Sequence, residues 1–496
     1  VDNVISLRRE GCQSMKKKLL IMLVVIAVAV IVFCVVITRD GELVIPQGKG
    51  IITLDGSVFE AFPLPDYAAK HVTDGYKSYF VEVEPGIKVH VLEVGSGFPV
   101  FLLHGNPTSG FLYRKVVEQL PTDRLRLIMP TLVGLGFSSK IPASRHTLEN
   151  HMRWMNSVLV QLKLTELVYM GQDWGGPVGM GALSFSPGLL KGAVLLNTGF
   201  NAPTEKMDLS KIHAAVKTPV VGELMVEVIA SVYDRLHRLQ GDPASISEEV
   251  SNLYGRPVLE SGNGKAPLAM MRMVPDGPDH PSTSAMRGIE RYVQGLDIYA
   301  EIVWGMNDPI LGKGLSAMQN NFPKAPVTKT QAGHFLQEEV PEAIAAVREW
   351  LALLLIRLLM AWEFGRAGFM KLNGTNWFGN VKDNFPFPFN VVPVEISWFL
   401  ATWFEILGAI GLVLGLFTRF WAFSLVILTI VAIAGVHWPA EWDSLAQLWK
   451  GYSVTDNGFG NYRIPLLFLV MLLPLVFRGA GKLSLDHVIA RKLGIG

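Results

Sequence analysis

Residues 169–176 read YMGQDWGG and set an aspartate, Asp173, among glycines where an apolar run ends. Two more residues with chemistry to offer follow downstream, Asp308 in VWGMNDP and His334 in AGHFLQEE. Each has a plain explanation, because aspartate beside glycine is an ordinary turn and Gly-His an ordinary loop. Their order along the chain, with Asp173 at the centre of Gly-x-Asp-x-Gly, is that of a nucleophile, an acid and a histidine. A carboxylate is a poor nucleophile in water because it is well solvated. On a tight turn at the mouth of a dry pocket it loses that shell and is aimed.

Such chemistry requires elements that present three distant residues together. PVFLLHG, LRLIMPTL, LVYMGQDW and GAVLLNTGF are short continuous apolar runs, the pattern of strands buried on both faces. YFVEV and IKVHVLEV alternate, as half-buried antiparallel strands do. Helical patterns fall between the runs, at 145–162 and 177–190. Alternation of this kind predicts a mostly parallel sheet covered on both sides, with sites at the C-terminal ends of strands. Asp173, Asp308 and His334 each follow a predicted strand, in the order expected of an α/β-hydrolase fold.

Half of the 496 residues are hydrophobic and 18% are charged, so part of the chain is expected in lipid. Residues 19–38 hold an apolar run of spanning length and are read as an uncleaved transmembrane anchor after an N-terminal extension, 1–18. Residues 60–350 read as the hydrolase domain, with a helical lid at 200–295. Residues 351–486 carry four apolar stretches, 351–372, 396–416, 420–437 and 464–477, which predict an all-α four-helix transmembrane bundle. From Glu342 to Phe364 there is no glycine or proline, so one unbroken rod is expected across the junction. The bundle also contains Arg357, Glu363, Arg366 and Glu405, costly in a bilayer unless paired or functional. Glu363 and Arg366 suit one helix face, with Glu405 expected to complete their neutralisation.

The balance of 44 basic and 43 acidic residues gives no field for nucleic acid. Cys12 and Cys34 offer neither a disulfide framework nor metal-ligand spacing, and no haem or quinone spacing is evident. Lys16, Lys17 and Lys18 before the anchor, against Arg39 and Lys49 after it, favour an inside N-terminus and an extracytoplasmic hydrolase domain. The bundle opposes this by five charges to four: Arg419, Arg478, Lys482, Arg491 and Lys492 against Lys371, Lys382, Lys450 and Arg463. The anchor's bias is the stronger. His437, beside Trp438, reads as an interface residue.

HGNPTS, GQDWGGPVG, RMVPDGPDHPS, VWGMNDPILG and AGHFLQEEVP carry a resemblance to the haloalkane dehalogenases over most of residues 60–350. The resemblance implies Asp173 as nucleophile, His334 as base, and Asp308 as the residue orienting that histidine. It implies Asn106 and Trp174 as halide-binding donors, with their backbone N–H groups as the oxyanion hole. Physical chemistry agrees with those roles. A departing halide needs N–H donors rather than a proton, and the histidine is then free to direct water at the ester. Asn197, where some relatives place the acid, is not a carboxylate, so Asp308 fills that role. No tryptophan lies between Gly175 and Val303, so Asn106 must be the second donor, as in the third subfamily. Thr131 departs from the usual aspartate and reads as a change in loop support.

Phe200, Pro203, Leu224, Met225, Val228, Met270, Met271 and Met273 are candidate pocket-wall residues, with core packing the competing explanation for each. RLLMAWEFGRAGFMKL, WFEILGAIGLVLGLFTR and GAGKLSLD resemble the DoxX family of four-helix membrane proteins. The expected partners are a small apolar halogenated substrate, water and the lipid bilayer, with no cofactor or metal, and a homo-oligomer is left open. Two alternatives stand beside this reading. An epoxide hydrolase would use the same aspartate and lid tyrosines from among Tyr233, Tyr254 and Tyr292. A non-catalytic membrane sensor would leave the acid, base and nucleophile set idle.

Overall fold

The computed structural model describes residues 22–207, 209–229, 231–439, 442–450, 461–481, 484–486 and 489–490. The expected extension at 1–18, Cys12, Lys16 to Lys18, the first residues of the anchor, Lys482, Arg491 and Lys492 lie outside them. The chain divides into two compact units, 1–345 and 346–496.

The first unit is built on a ten-stranded sheet. β1 (Ile51–Leu54), β2 (Ser57–Ala61), β3 (Lys77–Glu84) and β4 (Ile87–Gly95) form an antiparallel run. β5 (Phe98–Leu103), β6 (Leu125–Pro130), β7 (Leu167–Gln172), β8 (Leu190–Leu196), β9 (Tyr299–Gly305) and β10 (Val327–Thr330) are parallel to one another. The order is β1-β2-β3-β4-β6-β5-β7-β8-β9-β10, with β4 antiparallel to β6. The apolar runs of the sequence form the central parallel strands. β4 differs from the half-buried expectation, since all of it but Lys88 and Gly95 is buried, more than alternation requires. Its neighbours β3 and β6 and the layers over both faces account for that burial. The sheet also starts ahead of residue 60, because Asp55 (φ +48°) and Gly56 (φ +73°) turn β1 into β2.

The helix Leu148–Gln161 starts on a cap in which Thr147 accepts from Asn150 N. The helix Gly175–Ser184 follows the Asp173 turn directly. Between β8 and β9 the chain forms the helical lid, including Lys211–Lys217, Glu248–Leu259, Ala266–Arg272 and Thr283–Gln294. Ser247 caps the second of these by accepting from Val250 N, with Glu248 and Glu249 in the first turn.

In the second unit, helices Val347–Asn373, Val394–Leu414, Thr418–Ala432 and Arg463–Arg478 correspond to the four apolar stretches. Their buried core includes Met360, Phe364, Leu412, Leu425 and Leu472. Gly368 lies against Ile406 and Gly408 against Leu425, so small residues let these helices approach closely. Val394–Leu414 and Thr418–His437 are long and apolar enough to cross a membrane, and Met22–Ile37 is a shorter apolar helix.

Two expectations for this region are corrected. The rod is divided, into Pro341–Ala345 and Val347–Asn373, with Ala346 at φ −61°, ψ −14°. A flattened ψ interrupts the helical ladder there without glycine or proline. Glu405 is not the partner of Arg366. It takes both bonds from Lys371 Nζ, at 2.7 and 2.8 Å, while Arg366 faces outward. The spacing that matters is between helices, where the sequence has no period to read. Arg357 is buried and donates to Ala480 O at 2.7 Å.

Candidate active site

Asp173 stands between β7 and the helix Gly175–Ser184 at φ +49°, a left-handed conformation that a non-glycine residue adopts only where its surroundings enforce it. Here Asp173 N donates to Asn197 O at 3.0 Å, and Asp173 O accepts from Thr198 Oγ1 at 2.7 Å. The flanking glycines are required by space. A Cβ on Gly176 would collide with Thr198 Oγ1, and one on Gly105 with the Asp173 carboxylate. The turn pushes the side chain out of the sheet, where 17% of it stays exposed.

His334 follows β10 and reaches back to this turn. Its Nδ1 lies 2.9 Å from Asp308 Oδ2, and its Nε2 lies 3.8 Å from Asp173 Oδ2. Asp308 comes from the loop after β9 and accepts also from Asn197 Nδ2 at 2.8 Å and Ile310 N at 2.7 Å. The three side chains that sequence order selected therefore meet at the C-terminal ends of β7, β9 and β10. Burial raises the Asp173 carboxyl above its ordinary range, against His334 and the backbone N–H groups of Trp174 and Asn106, which pull it down. Burial would lower the His334 imidazole, but the charge of Asp308, their hydrogen bond and the charge of Asp173 outweigh it, and the net shift is upward. Asp308 is opposed by burial too, yet His334, Asn197 and Ile310 N hold it below the ordinary carboxylate range.

Asn106 follows β5. Its backbone N–H donates to Asp173 Oδ1 at 2.8 Å, and its side-chain Nδ2 donates to Pro267 O in the lid at 3.1 Å. That leaves one of its amide hydrogens uncommitted. Trp174 is buried, and its indole Nε1 makes no hydrogen bond among the described residues. Thr131 Oγ1 accepts from Gly110 N at 3.1 Å and its carbonyl from Ser138 Oγ at 2.7 Å, as a loop-supporting residue would.

Of the wall candidates, Phe200 is fully buried against Phe322, while Pro203, Met270 and Met273 are buried. Leu224, Met225 and Met271 are half-buried and Val228 is exposed. Tyr254 is committed elsewhere, donating to Glu338 Oε1 at 2.5 Å and accepting from Arg114 Nη1 at 3.2 Å. Two open clefts of about 590 and 490 Å³ lie elsewhere, and neither is lined by Asp173, Asp308, His334, Asn106, Trp174 or any of the wall candidates.

Several supporting residues, Asn197 apart, had no sequence signal. Asn197 (φ +26°) holds Asp308 and pins Gly305, donating to its carbonyl at 2.9 Å and accepting from its N–H at 2.7 Å. Gln172 Nε2 donates to His334 O at 3.0 Å. Gln240 brackets Phe335 with two backbone bonds, while His334 N donates to Leu239 O at 2.8 Å. Arg114 grips Glu338 through two bonds at 2.5 and 3.0 Å, anchoring the helix just beyond the histidine. Only Asn197, at the end of an apolar strand, was placed where a site residue is expected.

Residues 99–231 match the alpha/beta hydrolase fold family, and residues 352–438 match DoxX. A haloalkane dehalogenase of Psychrobacter cryohalolentis is 28% identical over 298 residues, covering 57% of this chain and 92% of the relative. A cis-3-alkyl-4-alkyloxetan-2-one decarboxylase of Shewanella oneidensis is 27% identical over 279 residues, covering 54% and 86%. An uncharacterized protein of Haemophilus influenzae is 43% identical over 141 residues, 28% of this chain and 85% of that one. Among solved structures, a variant of the haloalkane dehalogenase DatA from Agrobacterium tumefaciens C58 is 27% identical with a TM-score of 0.50, covering 56% of this chain and 98% of that one.

Proposed function

For this chain, an α/β-hydrolase with haloalkane dehalogenase homologues joined to a C-terminal DoxX domain, we propose membrane-attached hydrolytic dehalogenation of haloalkanes. The observation that carries the reading is the division of labour on one carboxylate. Asp173 Oδ1 is held by the N–H of Asn106, while Oδ2 faces the imidazole of His334. In the first step Oδ2 attacks the carbon bearing halogen. The carbon–halogen bond breaks with its electron pair, and the halide departs toward the Trp174 indole and the free Asn106 amide hydrogen. In the second, His334 Nε2 takes a proton from water as that water attacks the ester carbonyl carbon. The N–H groups of Asn106 and Trp174 stabilise the tetrahedral oxyanion. Collapse releases the alcohol and restores the carboxylate, so that water and haloalkane have become alcohol, halide and a proton. Asp308 keeps the Nδ1 hydrogen in place and offsets the charge of the imidazolium.

Attachment to the membrane is assigned to the anchor at 19–38 and the bundle at 351–486, with the hydrolase domain outside the cytoplasm. The Shewanella relative supports a second reading, since an oxetan-2-one also expels an anion, a carboxylate, which the same donors would hold. The test is halide release by the purified protein with short chloro- and bromoalkanes, beside an Asp173→Ala variant, an epoxide and a cis-3,4-dialkyl-oxetan-2-one. Halide release that depends on Asp173 supports the dehalogenase. Turnover of only the epoxide or only the lactone refutes it.

A further inference from the structure

The lid displays an inverted amphipathic surface. Met207, Leu209, Ile212, Val221, Val228 and Ile229 are exposed, Ile212 and Ile229 at 69% each. Glu223 and Glu227, the acidic residues described in the same segment, turn inward. Glu223 is buried against Arg272 through bonds of 2.8 and 3.0 Å, and Glu227 pairs with Lys265 at 2.7 Å. Val221 and Val228 bound a helical stretch that turns from α into π at Leu224, and both are exposed. A water-facing helix has the opposite arrangement, with charges outward and aliphatic side chains inward. Large apolar side chains exposed together in one segment in this way mark an interaction face.

The occupant is indicated by where the apolar anchor ends. Lys265 Nζ, the partner of Glu227, also donates at 2.6 Å to the carbonyl of Ile37, the last residue of the helix Met22–Ile37. Two neighbouring contacts fix the same exit. Asn263 Nδ2 donates to Glu42 O at 2.6 Å, and Asp40 Oδ1 accepts from Ser144 N at 2.7 Å. One side chain thus separates the end of the anchor from the residue preceding Val228. Lys206, Lys211 and Arg39 are exposed around this surface, cations of the sort that meet anionic headgroups.

We propose that the lid face formed by Met207 and residues 209–229 rests in the bilayer surface beside the anchor and admits apolar substrate from lipid. This rests on the membrane-attachment reading above. Lys265 precedes the helix Ala266–Arg272, and that helix's Pro267 carbonyl accepts from Asn106, so the docked edge adjoins the halide-donor residue.

The test is site-directed spin labelling of the full chain in phosphatidylethanolamine–phosphatidylglycerol vesicles, in a Cys12→Ser, Cys34→Ser background. Single substitutions Ile229→Cys, Val28→Cys and Phe185→Cys report the lid, the anchor and a control. Phe185 is exposed and caps the end of the helix Gly175–Ser184 remote from Asp173. Collisions with oxygen and with a water-soluble nickel chelate distinguish lipid from water. The expected result is loss of nickel accessibility with retained oxygen accessibility at residues 229 and 28, and free nickel access at 185. Nickel access at 229 with 28 shielded overturns the lid docking and leaves membrane attachment standing. Shielding of 229 from both reagents means that protein covers the face, and also overturns it. Nickel access at 28 removes membrane attachment and the docking together. None of these readouts depends on turnover, so a failed halide assay is a separate result.

Discussion

Exchanging Asn197 for aspartate alters the acid end of the site at a single atom. Asn197 Nδ2 stands 2.8 Å from Asp308 Oδ2 and 2.9 Å from Gly305 O, while its Oδ1 already accepts from Gly305 N. In Asn197→Asp an oxygen replaces that nitrogen. Two ionised carboxylates so close repel by about 6 kcal/mol at an effective dielectric constant of about 20, equivalent to about 4 pKa units. The pair therefore holds one proton at neutral pH, and the proton bridges the carboxylates as the amide hydrogen does now. The charge facing His334 is then unchanged, and turnover at pH 6 to 7 stays close to that of the parent. From an ordinary carboxyl value of about 4, the bridging proton leaves the folded pair at about pH 8. The unfolded chain gives it up at about pH 4. The variant's stability relative to the parent is thus fully present below the unfolded value and falls by about 1.4 kcal/mol per pH unit until the folded value is passed. The lost donor to Gly305 O adds a pH-independent cost of about 1 kcal/mol. The measurement is the unfolding midpoint of variant and parent at a series of pH values, with halide release at each. A difference between the two proteins that stays flat between about pH 5 and 8 would refute the geometry drawn around Asp308.

Asp173→Ala is expected to abolish halide release while leaving the fold intact, checked by circular dichroism. His334→Ala is expected to release one equivalent of halide and stop, with the alkyl group found by mass spectrometry on the peptide containing Asp173. Because His334 must be neutral to accept a proton during ester hydrolysis and its pKa is raised, kcat should climb with pH through an inflection above the ordinary histidine value of about 6.5. In Asp308→Asn that inflection should move to lower pH even as the rate falls, because the largest charge holding the imidazolium is gone. An inflection that stays put would be contrary. Trp174→Phe, which keeps the ring and removes the N–H, should weaken halide inhibition by about 1.5–3 kcal/mol, measured as the bromide inhibition constant.

The meeting of Asp173, Asp308 and His334 was legible because their positions are set by local patterns. Each follows a continuous apolar run, and such runs become the central strands of a parallel sheet whose loops converge at one edge. Asn197 was legible only as a place where the acid is missing. Its function depends on Asp308, which is 111 positions away, and an amide at the end of a strand looks the same with or without such a partner. The Arg114–Glu338–Tyr254 cluster was invisible for the same reason, since pairing across hundreds of residues leaves no periodicity. The β1–β2 hairpin is a different case. Asp-Gly between alternating runs is a strong hairpin signal, and Asp55-Gly56 carries it openly, but the expected boundary at residue 60 placed it outside the domain.

In the second unit, hydropathy located four helices because lipid-like interiors demand long apolar stretches, whereas the pairing of charges inside them depended on which helix faces met. Lys371 and Glu405 are on different helices and meet because Gly368 lets those helices come close, with Ile406 and Glu405 filling the space that a Cβ at residue 368 would take. A side chain at residue 368 would force the backbones apart and stretch the bonds from Lys371. Glu405 would then be a buried carboxylate without its counter-charge, which is strongly destabilising. The small residue and the ion pair therefore form one packing unit, although the sequence separates them and hydropathy counts one as neutral and the other as a defect.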